Sequence, residues 1–129
     1  MIRILITDDH KLMREGLKKI ISEEQDMQIV GEARNAQEAL DYVRDHPDLD
    51  LVLLDISMPG QSGLEALPQL RRSRPDVQVL MLSMHTEERL VTRALSTGAA
   101  AYVNKDSAAD ELVDAIRRLF SQNISEMAA

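Results

Sequence analysis

Five short apolar runs recur along the chain, each followed by a stretch with helical spacing. The runs are IRILITD (2–8), MQIVGEA (27–33), DLVLLD (50–55), VQVLMLS (77–83) and AAYVN (100–104). Two of them are nearly continuous in Val, Leu and Ile, the pattern of strands covered on both faces. The intervening stretches place apolar residues on one side of a helix. Leu12, Leu17, Ile20 and Ile21 do so in 11–24, and Ala36, Ala39, Leu40 and Val43 in 36–45. Leu64, Leu67 and Leu70 do so in 64–72, and Leu90, Val91, Ala94 and Leu95 in 86–96. Leu112, Ala115, Ile116 and Leu119 complete the set in 108–120.

The punctuation agrees with this division. Asn35, Ser62, Thr86 and Ser107 stand where helix N-caps belong. Gly98 closes the fourth helix. Pro68 lies inside the third helical pattern, where its missing donor is expected to kink the helix or break its first turns. Fivefold strand–helix alternation implies an α/β domain with a parallel sheet and helices on both faces. Right-handed crossovers bring the C-terminal end of every strand to one edge, where ligands bind in such sheets. The final stretch SQNISEMAA (121–129) loses apolar periodicity and reads as a tail or linker.

Composition narrows the function. The 129 residues suit one domain, and a formal net charge of −7 argues against a nucleic-acid surface. Aromatic residues are only 2%, so aliphatic side chains fill the core. Without cysteine there is neither a disulfide framework nor a thiolate metal site. The chain opens directly on a strand, and no apolar run approaches membrane-spanning length, so a soluble cytoplasmic protein with no membrane partner is expected.

The shared edge collects chemistry. Strand one ends in Asp8-Asp9, strand three in Asp55 and strand four in Ser83, and Lys105 follows strand five. Each has an ordinary explanation alone: helix capping, a solvated strand end, a turn hydroxyl, a surface lysine. Convergence changes that, because two like charges ~4 Å apart cost about 4 kcal/mol at an effective dielectric of 20. A hard divalent cation offsets such repulsion, and Mg²⁺ accepts one or two carboxylates while keeping waters. A carboxylate beside Mg²⁺ and a lysine is placed to attack phosphorus. His10 fits the first helical turn without ligating anything, and His46 reads as a loop residue.

Taken together, these residues resemble the receiver domain of bacterial two-component response regulators. The motifs are DD (8–9), LLDISMPG (53–60) with Gly63 after it, MLS (81–83) and YVNK (102–105). DDHKLMREGL (8–17) and GAAAYVNKDSAADELVDAIRRL (98–119) look most like the NarL/FixJ, or LuxR-type, subfamily. The resemblance implies a doubly wound, flavodoxin-like (βα)5 fold with strand order 2-1-3-4-5, occupying 1–120. It implies that Asp55 is the phosphoacceptor for a sensor histidine kinase. It implies Mg²⁺ (or Mn²⁺) held by Asp9, Asp55 and the main-chain carbonyl of Ser57, with Asp8 acting partly through water. Lys105 would pair with the phosphoryl group, Ser83 would donate its hydroxyl to it, and Tyr102 would turn inward as Ser83 moves. Ser57 and His85, two residues beyond Asp55 and Ser83, would tune dephosphorylation.

The family often carries Pro after the lysine, following a cis peptide, whereas Asp106 stands here, which leaves the geometry of that bond open. Phosphorylation would alter the surface of the fourth helix, fifth strand and fifth helix and favour a homodimer. NarL/FixJ proteins normally continue into a helix-turn-helix domain, so transcription control and DNA contact are expected only through a domain beyond 121–129. Three rival readings fit the residues less well. A haloacid-dehalogenase-type phosphatase wants Asp two residues after its nucleophile, but Ser57 follows Asp55 and His10 follows Asp8. A nucleotide-binding module wants a glycine-rich loop, absent from DDHK (8–11). A non-phosphorylated pseudo-receiver scaffold would not need the full acid set with Ser83 and Lys105.

Overall fold

Alternation of the two patterns produces β1 (Ile2–Thr7), α1 (Lys11–Ser22), β2 (Met27–Ala33), α2 (Ala36–Asp45), β3 (Leu51–Asp55), α3 (Gly63–Ser73), β4 (Gln78–Ser83), α4 (Glu88–Thr97), β5 (Ala101–Asn104) and α5 (Ala108–Ala128). A single 3-10 turn, Lys105–Ser107, joins β5 to α5. This computed structural model describes residues 1–84 and 87–128, with side chains described through residue 121.

The strands form one parallel sheet in the order β2-β1-β3-β4-β5. The side-chain period of two divides the core into two layers. Leu5, Val52, Leu54, Val79 and Met81 face α2, α3 and α4, against Ala39, Val43, Leu67, Leu70 and Ala94. Ile4, Ile6, Leu51, Leu53, Leu80 and Leu82 face α1 and α5, against Leu17, Ile21, Leu112 and Ile116. β1 from Ile4, all of β3 and β4 from Val79 are therefore dry on both sides, which is why apolar residues run together there.

Several local expectations need correction. Pro68 neither breaks α3 nor delays its start, for the helix runs uninterrupted from Gly63 to Ser73. A capping box anchors that start: the Glu65 N–H donates to Ser62 Oγ (3.2 Å) and the Ser62 N–H to Glu65 Oε1 (3.5 Å). Burial of Leu64, Leu67 and Leu70 holds the turns that follow. Leu12 is not on the buried face of α1 but is 87% exposed. Five residues separate it from Leu17, so at ~100° per residue it stands about 140° away. Leu95 is likewise exposed, leaving Ala94 as the buried residue of α4. The N-cap of α4 is Glu87, and Thr86, expected there, lies outside the described residues. Ser107 ends the 3-10 turn directly before α5, and Asn104 caps that turn by accepting from the Asp106 N–H at 2.7 Å. The helical backbone of α5 continues to Ala128, so the stretch expected as a tail or linker is helical over 121–128. Asn35 and Gly98 terminate helices as anticipated, Gly98 at φ 122°.

Candidate functional site

Strand register brings the chemistry level. Thr7 pairs with Leu54, so Asp8, one residue further, arrives beside Asp55 at the end of β3. Asp55 pairs with Leu82, and Ser83 with Asn104, which sets Ser83 and Lys105 on the same edge. The chain leaves β3 through a tight loop in which the Ile56 N–H donates to Leu82 O and the Gly63 N–H to Ile56 O. Gly63 permits this closeness: a Cβ there would stand 2.1 Å from the Asp55 carbonyl oxygen.

Asp8, Asp55 and Ser83 are almost fully buried, at 1%, 2% and 1% exposure. The Lys105 ammonium bridges the two acids, 2.8 Å from Asp8 Oδ2 and 3.1 Å from Asp55 Oδ1. Asp55 Oδ1 also accepts from the Ser57 N–H at 3.3 Å. Asp8 Oδ1 accepts from the His10 N–H at 2.8 Å, and the His10 ring Nδ1 lies 3.2 Å from that oxygen and 3.1 Å from Asp9 Oδ1. Arg14 holds this loop from behind, donating from Nη1 to the Asp8 carbonyl (2.7 Å) and from Nε to Glu32 Oε1 (3.1 Å).

Burial pushes the Asp55 carboxyl above the ordinary carboxylate range, and the Asp8 charge adds to it, while Lys105 and the Ser57 N–H pull the other way without prevailing. For Lys105 burial pulls downward, but the hydrogen bond to Asp8 and the charge of Asp55 outweigh it and hold the ammonium above its usual range. The pocket thus concentrates three carboxylates against one ammonium.

Two buried carboxylate oxygens, Asp9 Oδ1 and Asp55 Oδ2, lack a hydrogen bond, and Asp8 Oδ2 is held by the Lys105 ammonium. The His10 ring Nδ1 lies beside Asp9 Oδ1, and Lys105 meets Asp55 at Oδ1. Asp8, Asp9, His10 and Asp55 each offer a ligand atom, all within 4.8 Å of one another. Unsatisfied buried oxygens with about two surplus negative charges suit a hard divalent cation, so the residues present fit Mg²⁺.

The other expected residues fall as follows. Ser57 is exposed and meets Asp55 through its backbone. Tyr102 is half-buried, pairs with Met81 and packs on the layer that carries Leu90 and Ala94 of α4. His85 lies outside the described residues. The peptide before Asp106 is trans, since no cis bond occurs among the described residues. Sequence reasoning set His10 aside and missed Arg14. The signal for both was position: two and six residues after Asp8, at the start of α1, they are carried back over the strand end.

Comparison with known proteins agrees with this geometry. A family model described as the response regulator receiver domain matches residues 4–117. The chain is 41% identical over 121 residues to the response regulator UvrY of Escherichia coli (strain K12), covering 94% of this chain and 55% of that protein. It thus spans about half the length of such a relative. The receiver domain of the response regulator NarL from Mycobacterium tuberculosis superposes with a TM-score of 0.84 at 36% identity, over 92% of this chain and 94% of that one. A CheX–CheY–BeF3–Mg²⁺ complex from Borrelia burgdorferi gives a TM-score of 0.86 at 28% identity, over 92% and 89%. Among the described residues no helix is long and apolar enough to cross a membrane. The chain belongs to the family of response regulator receiver domains, of the NarL/FixJ type, and is a receiver domain of two-component signalling.

Proposed function

We propose that Asp55 accepts a phosphoryl group from a sensor histidine kinase in a Mg²⁺-dependent reaction. The observation that carries this is Asp55 Oδ2: a buried carboxylate oxygen with no hydrogen bond, on a residue whose other oxygen is fixed by Lys105 and the Ser57 N–H. The fixed oxygen orients the carboxylate, leaving the second one for in-line attack on phosphorus. The new bond joins Asp55 Oδ2 to phosphorus as the phosphorus–nitrogen bond of the kinase's phosphohistidine breaks, and the departing imidazole takes up a proton. Asp9, Asp55 and the Ser57 carbonyl would hold Mg²⁺, with Asp8 acting partly through water. The cation, when bound, neutralises charge developing on the transferring oxygens. A CheY relative, 28% identical, is known in complex with BeF3 and Mg²⁺, which supports this choice of ion.

Lys105 keeps its charge because both acids favour the ammonium, and it is in reach of any oxygen bound on Asp55. Ser83 supplies its hydroxyl from the adjacent strand end, and Tyr102, between β5 and α4, carries the change outward. Ser57 and His85 tune water access and hence dephosphorylation. The domain is a phosphoacceptor that assists its own modification and loss of phosphate, not a turnover enzyme. The output is a changed α4–β5–α5 surface that favours homodimer formation. In the longer relatives' architecture, that surface would control transcription through a DNA-binding domain.

The test is intact mass after exposure to acetyl phosphate. One phosphate is gained with Mg²⁺, none with chelator, and none in Asp55→Asn. A gain that survives Asp55→Asn, or that ignores Mg²⁺, overturns the assignment.

A further inference from the structure

We infer that Asn104 is a positioning residue for phosphoryl transfer: its side-chain oxygen fixes the turn that delivers Lys105 to Asp8 and Asp55. The inference rests on the reading of Asp55 as phosphoacceptor and names a residue outside the acidic group. Three observations carry it. Asn104 Oδ1 accepts from the Asp106 N–H at 2.7 Å, capping the 3-10 turn Lys105–Ser107. The far end of that turn is closed by the Ala108 N–H, which donates to Lys105 O. The Lys105 ammonium then stands 2.8 Å from Asp8 Oδ2 and 3.1 Å from Asp55 Oδ1, with its side chain only 9% exposed.

A lysine reaches its partners through a flexible four-carbon stem, so its charge is placed only as well as the backbone at its root. Here that root lies between two buried anchors, Val103 in β5 and Ala108 at the start of α5. Between them the chain passes from extended backbone at Asn104, φ −72° and ψ 134°, into a helical turn. The first N–H groups of such a turn have no partner within it, and Asn is among the residues best suited to supply one from its side chain. Asn104 also pairs with Ser83 across β4 and β5. One residue therefore ties the strand end that carries the Ser83 hydroxyl to the turn that carries the Lys105 ammonium. Without the cap the turn samples other conformations, and the ammonium leaves the two carboxylates for part of the time. The two consequences have opposite signs. The phosphoryl group loses its cationic partner, whereas Mg²⁺ loses a competitor for the same acids.

The experiment follows phosphorylation by acetyl phosphate at saturating Mg²⁺ through intact mass, and Mg²⁺ affinity by calorimetric titration. It compares wild type with Asn104→Ala, Asn104→Gln and Asn104→Ser. Asn104→Ala is expected to slow phosphorylation about fivefold, the factor that loss of a typical cap implies, while Mg²⁺ binds no more weakly than to wild type. Asn104→Gln, whose amide stands one carbon too far out to cap, behaves as the Ala variant. Asn104→Ser restores a capping oxygen and recovers at least half the wild-type rate. In a Lys105→Met background, Asn104→Ala has no further effect on the rate. A parallel loss of rate and Mg²⁺ affinity, equal slowing in the Lys105→Met background, or a Ser variant as slow as Ala overturns the inference, because the cap then only supports the fold. An unchanged rate in the Ala and Gln variants overturns it as well. Wild type that takes no phosphate removes the underlying reading of Asp55 instead, and shows itself before any variant is compared.

Discussion

Replacing Asp55 by Asn is expected to stabilise the metal-free protein. Lys105 Nζ, 3.1 Å from Asp55 Oδ1, contributes an attraction of about 5 kcal/mol at an effective dielectric of 20. Asp8 and Asp9, whose ligand atoms are within 4.8 Å, each oppose it by about 3.5 kcal/mol on the same scale. Asp9 is a quarter exposed, so its share is screened, and the charge–charge sum comes close to zero. What remains is the burial of an ionised carboxylate with one oxygen unbonded, a net cost of about 1–2 kcal/mol. Asn removes the charge, offers an N–H to the neighbouring acids, and leaves Lys105 its 2.8 Å partner in Asp8. In chelator, urea unfolding should therefore show Asp55→Asn more stable than wild type by about 1–2 kcal/mol, or ~3–6 °C in Tm. The pH dependence has a definite sign. The folded pKa of Asp55 lies above its unfolded one, so its protonated form favours the fold. The Asn advantage is full at neutral pH and fades as pH falls through the folded value. Mg²⁺ at ~100-fold its Kd adds about 2.7 kcal/mol to wild type and closes or reverses the gap. An Asn variant no more stable than wild type in chelator, or equal Mg²⁺ stabilisation of both, would refute the reasoning.

Lys105→Met removes a positive charge beside the cation pocket and should tighten Mg²⁺ about tenfold in a calorimetric titration while slowing phosphorylation by acetyl phosphate. Weaker Mg²⁺ binding would count against the placement of that ammonium. Gly63→Ala drives a Cβ to 2.1 Å from the Asp55 carbonyl and should cost about 2–3 kcal/mol in urea unfolding, with a parallel loss of Mg²⁺ affinity. Gly16→Ala, inside α1 with nothing within 4 Å of the added carbon, should instead stabilise by about 1 kcal/mol; matching signs for the two glycines would contradict the loop geometry.

Where the sequence was legible, one physical rule carried the reading. The later parts of strands β1, β3 and β4 are covered on both faces, so apolar residues run together there and the polar terminal residues stood out. Parallel crossovers then forced Asp8, Asp55, Ser83 and Lys105 to one edge before any distance was known. What escaped depended on angles and on tertiary support. Leu12 looked like a core residue because it lies near Leu17 in sequence, yet helical rotation turns it to solvent. Pro68 looked like a helix breaker because propensity takes no account of the Ser62–Glu65 box and the buried leucines. His10 and Arg14 were passed over because the backbone path from β1 into α1, which folds the ring over the acids and the guanidinium onto the Asp8 carbonyl, has no periodic signature.

Chemical marking decides which atom takes the phosphate. Borohydride reduces an aspartyl phosphate to homoserine, marking the modified residue permanently. After exposure to acetyl phosphate and Mg²⁺, reduction followed by peptide sequencing should find homoserine at position 55 and at no other. Homoserine at position 8 or 9, or a phosphate that borohydride leaves in place, would contradict it.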